Sequence, residues 1–99
     1  MSRKYVTREE LNDVVEALWS ELDYQNKLDR RAEDEGTNIP GFLTLADVYL
    51  RKTADAWAKS PAVEQPDGSF QVSEAQDGIR KVAAIMIRAM VYNGAKMRT

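Results

Sequence analysis

The chain lacks cysteine and histidine altogether, and each absence removes a class of chemistry. Without cysteine there is no disulfide, no thiolate nucleophile and no cysteine metal site. Without histidine the commonest general base and the commonest transition-metal ligand are gone. A metal bound here would be a hard cation held by carboxylates, Mg²⁺ or Mn²⁺. Long apolar runs are missing too. The longest is Val82–Ile87, far short of the roughly 20 residues that span a bilayer. The opening Met-Ser-Arg-Lys-Tyr contains no apolar signal segment, so a soluble cytoplasmic protein is expected. Nor does one sign of charge dominate: 14 basic residues stand against 16 acidic, a net charge of −2. That balance argues against general nucleic-acid binding, which needs a basic surface to displace counterions.

What remains is helical punctuation. The 99 residues are expected to form a single all-α domain. A chain this short buries a modest core, so self-association is expected as well. Thr7-x-x-Glu10, Thr44-x-x-Asp47 and Ser73-x-x-Gln76 each read as a capping box ahead of an apolar-periodic run. Three helices follow, over about residues 8–33, 45–59 and 74–93. Loops 34–43 and 60–73 connect them, and 95–99 forms a tail. The first loop contains Gly36, Pro40 and Gly41, the second Pro66-Asp67-Gly68. Gly94 stands where a helix C-terminus favours glycine.

Periodicity assigns inward faces. Helix one offers Leu11, Val14, Val15, Leu18 and Leu22, and helix two Leu43, Ala46, Leu50, Ala54 and Trp57. Helix three offers Ile79, Val82, Ala83, Met86, Ala89 and Met90, with Ile85, Val91 and Tyr92 toward its other side. A helix apolar on two sides is either central in its bundle or half of an interface. The second option predicts a homo-oligomer built through helix three.

The stripe of helix one then turns polar. Glu21, Gln25 and Asp29, spaced i, i+4, i+8, share one side of the helix. They can hold a cation, a ribose hydroxyl or a base edge, or the helix can simply have outrun its neighbours. Arg80 and Lys81 open the apolar helix three and Arg88 interrupts it. Asp77 is placed to pair with Lys81. Arg88 has no acid at i−3 or i−4, so its partner must come from another helix, another subunit or a ligand. The choice lies between an ion pair with Glu16, Glu21 or Asp55 and bidentate phosphate recognition. Glu74-x-x-Asp77 puts two carboxylates on one face, as acids at helix starts often do. Asp47, Arg51 and Asp55 read as a solvated ladder. Tyr24 and Tyr49 lie off their helices' main stripes and are the aromatics best placed for a ligand or an interface, whereas Trp57 reads as core.

Taken together, Glu21-x-x-Tyr24-Gln25, Leu45-x-x-x-Tyr49-Leu50, Ala54-x-x-Trp57, Ile79-Arg80-Lys81-Val82-Ala83-Ala84 and Asn93-Gly94-Ala95-x-x-Arg98 have a familiar look. Over about residues 14–98 the chain resembles a group of small phage-encoded helical proteins, themselves similar to trimmed MazG-like all-α nucleoside triphosphate pyrophosphatases. The resemblance implies an oligomeric helical bundle that handles nucleotides. In those enzymes a Glu-Glu-x-x-Glu motif and a Glu-x-x-Asp motif hold Mg²⁺ against the triphosphate. Here helix two retains at most Asp47, and Glu74-x-x-Asp77 sits a turn early.

Three functions follow as expectations. The first is non-catalytic binding of a nucleotide or nucleotide-derived signal through Tyr24, Gln25, Tyr49, Arg80, Lys81 and Arg88, as in a sponge against host defence signalling. The second is a Mg²⁺-dependent pyrophosphatase using Glu21, Asp29, Asp47, Glu74 and Asp77. The third is a protein-interaction inhibitor of a host factor. The position of Arg88 decides most between them.

Overall fold

A computed structural model describes residues 5–28, 38–59, 66–67 and 74–98. Among the described residues there are three helices: α1 (Arg8–Asn26), α2 (Ile39–Lys59) and α3 (Glu74–Asn93). No strand occurs among the described residues. The all-α, three-helix expectation therefore holds.

α1 begins where the capping box placed it. The Thr7 hydroxyl accepts from the Glu10 N–H at 3.1 Å, and the Glu10 carboxylate accepts from the Thr7 N–H at 3.0 Å. It ends at Asn26, well before residue 33. The last turn tightens, with the Lys27 and Leu28 N–H groups reaching the Tyr24 and Gln25 carbonyls. Residues 29–37 lie outside the described part, and Asp29 with them.

α2 starts at Ile39 rather than 45. The Asn38 side chain is its cap, accepting from the Gly41 N–H at 3.0 Å. Pro40 fits in the first turn because its missing N–H would have no helical partner there. The Pro40-Gly41 pair is thus the opening of a helix and not part of a loop. Thr44, expected to cap, lies inside the helix and donates its hydroxyl to the Pro40 carbonyl at 3.0 Å.

α3 has the expected bounds. Its proposed Ser73 cap lies outside the described residues. At its end Gly94 adopts φ +95°, and its N–H closes on the Met90 carbonyl at 2.9 Å. This left-handed exit costs glycine least.

α3 is the central helix, with α2 and α1 both packed against it. That accounts for much of its two-sidedness within one chain. The core joins Phe42 and Ala46 of α2 to Ile85 of α3, with Tyr49, Val82, Met86 and Ala89 around them. Phe42 is 1% exposed and stacks on Tyr92, centroids 6.3 Å apart. Ile85, expected on the second apolar side of its helix, is buried. α2 and α3 pack tightly at Gly78, where an added Cβ would come 2.1 Å from the Thr53 hydroxyl.

Two inward faces are corrected. On α2 only Ala46 of the expected stripe is buried, while Leu43, Leu50, Ala54 and Trp57 are exposed. Phe42, Ala46, Tyr49 and Thr53 point inward instead. On α1, Leu11, Val14 and Val15 are about half exposed, at 47%, 52% and 47%, Leu18 and Leu22 are partly buried as expected, and the buried residue is Glu21.

Candidate functional site

Glu21 is 5% exposed although it carries a charge. A buried carboxylate needs partners for both oxygens. Oε1 accepts from Arg80 Nε of α3 at 3.0 Å, and Oε2 accepts from Gln25 Nε2, one turn later on α1, at 2.8 Å. Arg80 Nη1 also donates to Asp77 Oδ1 at 2.8 Å. The Gln25 Oε1 in turn accepts from Arg88 Nη1. One chain of hydrogen bonds thus runs Asp77, Arg80, Glu21, Gln25, Arg88 and ties α1 to α3.

The spacing explains the alternation of partners. Glu21 and Gln25 are one turn apart on α1, and Arg80 and Arg88 lie about two turns apart on α3. Glu21 meets the first arginine and Gln25 the second. The amide suits the middle of the chain because it donates at one end and accepts at the other. Hydrogen bonds to Glu21 first, then to Asp77, raise the Arg80 pKa above its ordinary value. A cation with a raised pKa contributes its stability below its unfolded pKa and loses it only in strong base. Arg80 therefore holds its charge throughout the neutral range.

Beside this chain lies a cleft of about 220 Å³ between the three helices. α1 contributes Glu21, Tyr24, Gln25 and Leu28 to it. Leu45 and Tyr49 come from α2, and Lys81, Ile85 and Arg88 from α3. Five of the six ligand-binding candidates meet here: Tyr24, Gln25, Tyr49, Lys81 and Arg88. The sixth, Arg80, lines a neighbouring hollow with Ser20, Glu21, Tyr24 and Lys81, its guanidinium bound to Glu21 and Asp77.

Lys81 borders both hollows and a third of about 340 Å³ with Tyr49, Lys52, Glu74 and Asp77. The expected Asp77–Lys81 pair does not form. Asp77 turns to Arg80, which the approach of Glu21 holds in place. Among the described residues Lys81 has no ion-pair partner. Lys52 sits over the Tyr49 ring, 5.1 Å from its centroid.

The metal candidates do not gather. Glu21 and Asp77 share Arg80. Asp47 pairs with Arg51 at 3.1 Å on the exposed side of α2, and Asp55 pairs with Lys59 rather than extending that ladder. Glu74 lies with Asp77 at the far hollow, and Asp29 falls outside the described residues. Among the described residues no three acidic side chains are placed to hold a metal ion.

Leu45 and Lys52 are site-lining residues that the sequence reading missed. Both lie on α2 beside Tyr49, at i−4 and i+3, so correct phasing of that helix would have found them. Among the described residues no helix is long and apolar enough to cross a membrane. No family model, curated protein or solved structure matches the chain.

Proposed function

We propose that the protein binds a nucleotide or a nucleotide-derived signal in the 220 Å³ cleft, without catalysis. One observation supports this reading above the others: two tyrosines, an amide and two cations from three different helices border the same small cleft. Lys81 and Arg88 suit phosphate, Arg88 as a planar fork and Lys81 as a point charge. Tyr49 and the half-exposed Tyr24 offer ring faces for a base.

Gln25 has a narrower part than sequence suggested. Its amide is engaged at both ends, so in this reading it aims Arg88, leaving one N–H and one lone pair for a ligand. Arg80 is spent on Glu21 and Asp77 and acts as a strut. The cleft is small by the standard of drug-sized sites, about 300–1,000 Å³. It fits one phosphorylated unit, or part of a larger ligand held between copies in a homo-oligomer to which α3 contributes. In a phage-infected bacterial cytoplasm such a protein would sequester a defence signal.

Calorimetry against linear and cyclic nucleotides tests the proposal. Binding of at least one in the micromolar range is expected, weakened tenfold or more by Arg88→Ala and by Lys81→Ala. The absence of binding at high micromolar nucleotide overturns it. Pyrophosphate release from nucleoside triphosphates with Mg²⁺ would overturn its non-catalytic part, and capture of a host protein with no nucleotide bound would favour an inhibitor.

A further inference from the structure

The N-terminal half of α1 contributes no buried residue. Leu11, Val14 and Val15 stay about half exposed, and of residues 8–17 only Glu10, held in the N-terminal cap, is covered further. Yet this ten-residue stretch carries the regular apolar stripe Leu11, Val14, Val15, continued by Leu18. Short helices are marginal in water and owe most of their stability to packing of an apolar face. A half-exposed stripe at helical spacing that joins no core among the described residues is therefore half of a contact.

Charge says what covers it. Beside the stripe stand Glu9, Asp13 and Glu16, so the arm is acidic. The rest of the described chain leans the other way. α2 and α3 have net charges of +1 each, from Arg51, Lys52 and Lys59 against two acids and Arg80, Lys81 and Arg88 against two acids. Lys96 and Arg98 follow α3 and are exposed. An arm laid on a second arm would set acids against acids, whereas an arm laid on a second body sets them against bases.

That body has an apolar groove beside its basic tail. Ile39, Phe42, Leu43, Met86 and Met90 line a hollow of about 260 Å³ that ends at Gly94, where the Lys96–Arg98 segment begins. Flexible methionines adapt readily to an inserted aliphatic side chain. The ends also match. α1 runs parallel to α3, Glu21 against Arg80 and Gln25 against Arg88. The arm consequently leaves toward the N-terminal end of α3, and the groove lies at its C-terminal end. A two-fold axis across α3 brings each arm to the other copy's groove. Exchanging both arms doubles the area that one arm would bury.

We propose that the acidic N-terminal half of α1 is an exchange arm that docks in the Ile39–Met90 groove of a second copy, with Lys96 and Arg98 receiving its acids. This specifies the self-association named above and does not depend on the ligand reading. Light scattering of the purified chain tests it. A dimer is expected at 100 µM, with its dissociation constant raised at least tenfold by Val14→Asp and by the pair Lys96→Glu, Arg98→Glu. Both changes lie outside the core, and circular dichroism of α2 and α3 verifies folding.

Because the chain has no cysteine, single introduced thiols report proximity without interference. Oxidising a mixture of Val14→Cys and Met90→Cys proteins should give the mixed disulfide. A monomer at 100 µM overturns self-association as a whole. A dimer indifferent to both sets of changes, or one trapped only as Val14→Cys with itself, overturns the arm exchange and leaves self-association standing.

Discussion

At the scale of single residues, the informative positions are those where chemistry and packing leave one choice. Gly78 is the clearest. A Cβ there would meet the Thr53 hydroxyl at 2.1 Å and the Thr53 Cβ at 2.9 Å. Thr53 cannot easily turn away, because its hydroxyl donates to the Tyr49 carbonyl at 2.7 Å and the residue is buried. Gly78→Ala should therefore destabilise the protein by about 1–3 kcal/mol, as overpacked helix contacts do. At about 4–8 °C per kcal/mol for a domain of this size, thermal melting resolves the change. Thr53→Ala in the same chain should restore part of the loss, and a double-mutant cycle measures how much. Glu21 makes a complementary case. Glu21→Ala removes the acceptor of both Arg80 and Gln25, at an expected cost of about 1–3 kcal/mol. Arg80 is a third exposed, so water takes over part of its lost bond and keeps the effect below that of a fully buried pair. The same change should weaken nucleotide binding by freeing Gln25, and with it Arg88, from its fixed orientation.

At the scale of helices, the sequence was most readable where a local rule acts alone. The Thr7 capping box and the glycine exit at Gly94 are local chemistry, and both appear as expected. α2 shows the opposite. Asn38-Ile39-Pro40-Gly41 reads as a turn by composition, yet asparagine is also a strong N-cap and proline suits a first turn. The burial of Phe42 decides between the two readings, and it is a tertiary fact. Asn38→Ala should accordingly cost about 0.5–2 kcal/mol in urea unfolding, whereas Thr44→Ala should cost much less. The inward phase of α2 was misread for a related reason. Leu43, Leu50 and Trp57 form the more apolar column, but the close approach at Gly78 turns Thr53 inward, and Phe42, Ala46 and Tyr49 share that face. The candidate site was read better than the core around it. Glu21, Gln25, Arg80 and Arg88 break apolar stripes, and such breaks are visible in sequence without knowledge of how the helices pack. What sequence could not supply was the order of the partners, since that depends on α1 and α3 running parallel.

At the scale of the whole molecule, the apolar stripes of α1 and α2 that periodicity marks for burial are largely uncovered in one chain. A protein that hides them by exchanging arms has a stability tied to its own concentration, because folding and association share one equilibrium. The melting temperature of the wild-type chain should then climb as protein is raised from 1 to 100 µM, while that of Val14→Asp should stay level. The helical signal should follow the same course. In the dilute wild type and in the variant, the ten residues before Leu18 lack the packing that holds a short helix together, so circular dichroism should lose about half of the contribution of α1 while α2 and α3 remain. Added salt separates the two components of the contact. Screening weakens the pairing of Glu9, Asp13 and Glu16 with Lys96 and Arg98, but burial of the stripe is strengthened by salts such as sulfate. Sodium chloride should therefore lower the dimer's affinity and sodium sulfate should restore it. An affinity insensitive to sodium chloride would remove the charged tail from the interface and leave the groove as its sole basis.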